Sequence, residues 1–193
     1  MAGYTKKALM LTFEQMLSEQ YFDRITVLAL VQRCGVSPNT FYYHYDDIYA
    51  LLEAWLEEKK RQFLAATDGQ SLEERLKGFL HAMQRDPRWV RHLSGSISRE
   101  RLEKYVFTSV EGAFYDALRQ VASGRGAPEE LLRQAAGFVC YSFLGFLIRF
   151  FWEGMQADVD SSVDALCAMS QRMLESILPE REEERDAAQS NAD

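Results

Sequence analysis

The sequence predicts an all-α protein, and three observations carry that prediction. Apolar residues recur at helical spacing along most of the chain, beginning with Leu9, Phe13, Met16 and Leu17. Glycine and proline, eleven and four in 193 residues, gather at a few breaks and leave long stretches free for helix. No segment of useful length alternates apolar and polar residues as a half-buried strand does, and no internal repeat is present. With 47% apolar and 12% aromatic residues, the chain has ample material for packed cores within one or two small domains.

The first helix is expected from about Thr5 to Gln20, with Lys6 and Lys7 on its first turn. Thr26 is the N-cap of the second, because its hydroxyl can accept a bond from an otherwise unpaired backbone N–H. Leu30, Val31 and Cys34 share one face of that helix, and Gly35 stands where a left-handed residue would end it. Ser37 and Pro38 are then N-cap and first position of a third helix, Pro38 to Tyr45. Phe41 and Tyr45, four residues apart, mark its buried face and leave Asn39, Thr40, Tyr42, Tyr43 and His44 at or beside the opposite one. Two short helices joined this way form a helix-turn-helix, and these exposed groups have the reach to read a DNA groove. Asp46 or Asp47 caps the next helix, where Ile48, Leu51, Leu52, Trp55 and Leu56 keep an apolar stripe to about Ala66.

Residues 66–71, ATDGQS, break the pattern with turn chemistry and predict a domain boundary. Leu72, Leu76, Phe79, Leu80 and Met83 mark a further amphipathic helix that ends before Pro87. A short segment with Trp89, Val90 and Leu93 follows, then a helix from Ile97 to Val121, then the break SGRGAP at 123–128. The stretch from Pro128 to about Met155 is the most apolar of the chain, and Ser161 to Leu178 forms a last helix stopped by Pro179. Residues 135–155 are nearly long enough to span a membrane. Arg149 would lie in the apolar half, at about 3 kcal/mol on insertion scales, with neither a second span nor a flanking basic cluster. The segment is therefore read as the centre of a helical domain, or of a dimer in which two antiparallel helices meet their symmetry mates as a four-helix bundle.

The block Thr26, Gly35, Val36, Ser37, Thr40, Phe41, Tyr42 and His44, in this order and spacing, resembles the TetR family of bacterial transcriptional regulators. The remainder is similar to the family in length and helical character. Its Gly/Trp/Gly-containing penultimate helix resembles the subgroup common in Firmicutes and related to a dihydroxyacetone kinase operon regulator. The resemblance implies an N-terminal three-helix DNA-binding domain in residues 1–50, a linking helix at about 47–66, and a helical regulatory and dimerisation domain in 67–178. Thr26, Ser37, Pro38, Asn39, Thr40, Tyr42, Tyr43, His44 and Lys6 are the expected DNA contacts, on a palindromic operator bound by a homodimer. Phe79, Met83, Trp89, Phe107, Phe114, Tyr141, Phe146 and Arg149 are the expected lining of a pocket for a small apolar or aromatic effector, with Tyr141, Ser142 and Arg149 orienting it. A buried Arg149 would need Glu153, an anionic ligand or a partner subunit's carboxylate. The expected function is repression relieved by that effector. The alternative keeps the regulator fold under the control of a protein partner.

Charge qualifies the DNA reading. The net charge is −7, of which residues 180–193 supply −4 through six acids and two arginines, a composition that predicts a disordered tail at 179–193. Residues 1–50 hold four basic and five acidic side chains, so phosphate attraction is weak. Family members often carry a basic residue where this chain has Leu28, Pro38 and Ile48. No pair of histidines or cysteines has metal-ligand spacing, and no cofactor is expected. Tyr43, His44 and Asp47 lie on successive turns with no nucleophile or phosphate-binding loop beside them, so enzymatic chemistry is not expected. Cys34, Cys140 and Cys167 are odd in number and lie in apolar contexts, as free thiols of a cytoplasmic protein do. The first fifteen residues lack the apolar core of an export signal.

Overall fold

The computed structural model describes residues 2–178; the expected tail at 179–193 lies outside them. The described residues form helices α1 (Ala2–Glu19), α2 (Val27–Cys34), α3 (Pro38–Tyr42), α4 (Ile48–Ala66), α5 (Leu72–Arg85), α6 (Pro87–Ser94), α7 (Arg99–Val121), α8 (Glu129–Trp152) and α9 (Val159–Ile177), with a 3₁₀ turn at Phe22–Arg24 and no strand. Two compact units result. One is Met1–Gln70 with His81–Arg99; the other is Ser71–Leu80 with the chain from Glu100 onward. The chain is non-helical from 67 to 71 and returns to the first unit at His81, so α6 belongs with the N-terminal helices.

The first unit is built around rings locked edge to face. Phe13 of α1 meets Phe22 at 6.1 Å and Trp55 of α4 at 5.8 Å, and Trp55 meets Trp89 of α6 at 5.5 Å. Such pairs add about 0.5–1.5 kcal/mol each beyond the area they bury. Leu9, Leu17, Leu30, Phe41 and Leu51 are sealed in the same core. Glu14 accepts from the Trp55 indole at 3.3 Å and from Lys59 Nζ at 2.6 Å, which ties α1 to α4 at its polar edge. His92 of α6 bonds through Nδ1 to the Leu17 carbonyl at 2.8 Å and packs on Tyr21 at 4.9 Å. A side chain at Gly95 would press on that tyrosine ring, with a Cβ only 3.2 Å from Cε1.

The second unit has α8 as its centre. Leu132, Val139, Cys140, Phe143, Leu147 and Phe150 are buried, as are Val106 and Phe114 of α7 and Val163 and Leu174 of α9, and Phe114 meets Phe143 at 5.8 Å. Lys77 of α5 pairs with Asp164 of α9 and with Glu73 one turn away. By length and composition α8 is long and apolar enough to cross a membrane; 44% of its most apolar window is buried inside the protein. Its C-terminus ends in a left-handed pair, Gly154 and Met155, at φ 67° and 62°. A positive φ is unfavourable for methionine, and burial of its side chain together with the Met155 N–H bond to the Phe150 carbonyl holds it there.

Candidate nucleic-acid interface

Local chemistry fixes the helix-turn-helix. Thr26 Oγ1 accepts from the Ala29 N–H at 3.2 Å, and Gly35 ends α2 at φ 72°, the conformation that a side chain would oppose. Ser37 Oγ accepts from the Thr40 N–H at 3.2 Å, with Pro38 at the first helical position. Asp47 rather than Asp46 caps α4, accepting from the Ala50 N–H at 2.8 Å. The third helix is shorter than the expected Pro38 to Tyr45. It closes at Tyr42, because the His44 N–H bonds the Phe41 carbonyl in a tightened turn before Asp47 swings to an extended φ of −155°. Phe41 and Tyr45 are buried as expected, their rings 5.7 Å apart.

What this scaffold exposes is mostly neutral. Asn39 is exposed, Tyr42 is 57% and Tyr43 80% accessible, and Leu28 on the first turn of α2 is 59% accessible. Thr40 is half-buried, its hydroxyl 2.9 Å from that of Ser37, so the two share one proton contact. His44 is half-buried with its ring against Tyr43 at 5.0 Å. Thr26, Ser37 and Pro38 are exposed at the two helix starts. Lys6 lies 5.6 Å above the Tyr45 ring, whose buried hydroxyl has no partner and is pushed up to about 12 by burial. Arg33 is held by both carboxylate oxygens of Glu19, with Nη2 to Oε1 at 2.7 Å. That pairing keeps the Glu19 carboxyl below the usual range. Ile48, at the start of α4, is half-buried on the first unit's core.

The eight residues expected to line an effector pocket are divided between the two units. Met83 and Trp89 belong to the first unit, where Trp89 packs on Trp55. Sequence periodicity alone could not reveal a ring pair that joins helices 34 positions apart. Phe79, Phe107, Phe114, Tyr141, Phe146 and Arg149 belong to the second unit. There Phe107 meets Tyr141 at 4.4 Å, Phe114 meets Phe143 at 5.8 Å, and Phe146 stacks on Phe150 at 5.7 Å. Arg149 is exposed and bonds Glu153 at 2.8 Å, the plainest of the partners considered for it. Two cavities of about 410 and 250 Å³ open at the far end of α7, the first bounded by Asp116, Arg119, Gln120 and Ser123, the second by Tyr115, Arg119, Ala127, Glu129 and Leu132. Neither is lined by any of the eight residues, and the second is mainly polar.

An apolar surface does appear elsewhere. Phe138, Tyr141 and Trp152 lie exposed along one side of α8, with Gly145 between them, and Met169 and Ile177 are exposed on α9. The signal was present as a spacing of 138, 141, 145 and 152, but a helix apolar nearly all round does not reveal which side stays outside.

Comparison with known proteins agrees with this geometry. Residues 9–55 match the model of the bacterial regulatory proteins, tetR family. A TetR transcriptional regulator from Streptococcus agalactiae 2603V is similar in structure, with TM-score 0.62 and 23% identity over 90% of this chain and 94% of that one. The fatty acid degradation regulator FadR from Bacillus halodurans has TM-score 0.60 and 14% identity over 86% and 94%. The TetR family repressor AlkX from Dietzia sp. strain DQ12-45-1b has TM-score 0.54 and 18% identity over 89% and 95%. No curated protein sequence matches the chain. Residues 9–55 thus match the tetR-family model, on a chain that shares its fold with solved TetR-type regulators.

Proposed function

We propose that this chain is a homodimeric, DNA-binding transcriptional regulator of the cytoplasm, acting as a repressor. The observation that carries the reading is the capped α2–Gly35–α3 unit, which buries Phe41 and turns Asn39, Tyr42 and Tyr43 to solvent. A recognition helix so presented enters a major groove, and two copies related by a twofold axis read a palindrome whose half-sites lie about 34–36 Å apart. Thr26, Ser37 and Pro38 at the helix starts, with Lys6 and His44 beside them, are the proposed backbone-positioning contacts. The dimer surface is the exposed side of α8 with α9, where Phe138, Tyr141, Trp152 and Met169 would otherwise face water.

Release by a small apolar or aromatic effector is the regulatory half of the proposal, with its site in the second unit near the Phe107–Tyr141 and Phe114–Phe143 pairs. An effector releases DNA only through the difference between its affinities for the two states of the dimer. Control by a protein partner is the weaker reading, because the apolar surface that would receive the partner is the one the dimer needs.

The test is selection of duplexes from fragmented genomic DNA by the full-length protein, followed by titration against selected and random duplexes at several salt concentrations. A preferred palindrome bound by two chains, with a shallow salt dependence, is expected. Equal affinity for all duplexes would remove the assignment.

A further inference from the structure

The recognition segment from Ser37 to Tyr45 reads SPNTFYYHY and contains no lysine or arginine. Between Thr26 and Tyr45 the one arginine is Arg33, and both of its terminal nitrogens are engaged by Glu19. The forked contact from arginine or lysine to guanine O6 and N7 is the commonest base-specific contact in a major groove. No free side chain of α2 or α3 can make it. Ser37 and Thr40 turn their hydroxyls on each other, and His44 is half-buried against Tyr43.

The exposed groups have a different complement. The Asn39 amide offers one donor and one acceptor side by side, which pairs with adenine N6 and N7. Tyr42 and Leu28 offer apolar surface, and the thymine C5 methyl is the apolar feature that a major groove presents. Weak phosphate attraction, from four cations against five acids in residues 1–50, leaves a larger share of discrimination to such neutral contacts.

We infer that this chain reads its half-site as A·T pairs, adenine through Asn39 and thymine methyls through Tyr42 and Leu28, with no guanine fork in the recognised core. The inference rests on the DNA-binding reading above and specifies its ligand. Leu28 and Tyr42 are specificity residues whose exposure has this use.

The experiment uses full-length protein on its selected duplex, with each thymine of the half-site replaced in turn by uracil, which removes only the methyl group. At one or two positions the replacement is expected to weaken binding about four-fold, the worth of one buried methyl. Tyr42→Ala or Leu28→Ala should lose a similar factor on the thymine duplex and little more on the uracil duplex. Tyr42→Phe keeps the ring and should keep the thymine preference. Asn39→Ala should abolish the preference for adenine over guanine at one position. A recognised core dominated by G·C pairs, or uracil effects below about two-fold throughout, would overturn the inference while leaving sequence-specific DNA binding intact. Absence of any preferred duplex would overturn both.

Discussion

In the first unit the helices α2, α3 and α4 start on side-chain oxygens, from Thr26, Ser37 and Asp47, and the rings of Phe13, Phe22, Trp55 and Trp89 close on one another. In the second, α8 starts at Pro128 with no side-chain cap, and it leaves Phe138 60%, Tyr141 67% and Trp152 81% accessible. The first unit packs its large rings inside and, around the helix-turn-helix, exposes mostly uncharged side chains such as Asn39, Tyr42 and Tyr43. The second leaves large apolar side chains of α8 and α9 open to solvent.

The largest expected effect breaks the first unit from inside. Phe41 is fully buried and contacts both Tyr42 and Tyr45, at 5.4 and 5.7 Å. Phe41→Ala should cost about 3–5 kcal/mol through the cavity it leaves. Hydrogen exchange should show α2 and α3 opening while α8 keeps its protection. A loss below about 1 kcal/mol would mean that the motif does not depend on this core.

Next comes the second unit's outer face. Trp152→Glu should cost at least about 2 kcal/mol at each of two symmetric positions, as truncation of an aromatic anchor in an interface does. Light scattering at micromolar concentration should report a dimer for the wild type and a monomer for the variant. A wild-type monomer would erase the contrast between the units and leave the exposed α8 face without its proposed use.

The contrast also separates what the sequence could disclose. Caps and turn residues act within three or four positions, so Thr26, Gly35, Ser37 and Pro38 were legible and the structure places them in their expected roles. Tyr43 and His44 fell outside the helix expected to contain them, because the Asp47 cap at the next helix governs where α3 must stop. The periodicity of Trp89 is that of any core aromatic, and only the tertiary meeting with Trp55 shows which core it joins. In α8, Phe138 and Phe143 are alike in composition and opposite in exposure, and an all-apolar helix carries no phase by which to tell them apart.

Ile48 sharpens the comparison at the boundary between scaffold and DNA. It begins α4 half-buried on the core, where a lysine gives up apolar burial and places a cation at the positive end of a helix. Ile48→Lys should therefore lower stability by about 1–2 kcal/mol. Binding of the folded variant should tighten on all duplexes alike, with the salt dependence steeper by about one contact per subunit. Paired melting and salt titrations separate the two effects. A more stable variant with an unchanged salt slope would place Ile48 away from both core and phosphate.

The smallest expected effect tests whether the two units differ in their response to acid. Arg33 holds the Glu19 carboxyl low in the first unit, and in the second the hydrogen bond from Lys77 holds Asp164 low while Ser71 does the same for Glu74. A carboxyl lowered on folding contributes stability that is present above its unfolded value and fades as pH falls through the folded one. Lys77 is raised by Asp164 and Glu73, so its contribution is complete at neutral pH and is lost only as pH rises beyond the ordinary lysine range. Urea midpoints should thus stay level near neutrality and decline below the usual carboxylate range. Because these groups are exposed, the decline should be gentle and shallower still at high salt. Lys77→Met removes the donor to Asp164 and leaves Arg33 with Glu19 untouched. The acid decline of the second unit should flatten in this variant while that of the first is unchanged, as followed by exchange at α9 and at α2. Equal flattening in both units, or none in either, would show that the Lys77 pairing with Asp164 does not set the second unit's acid response.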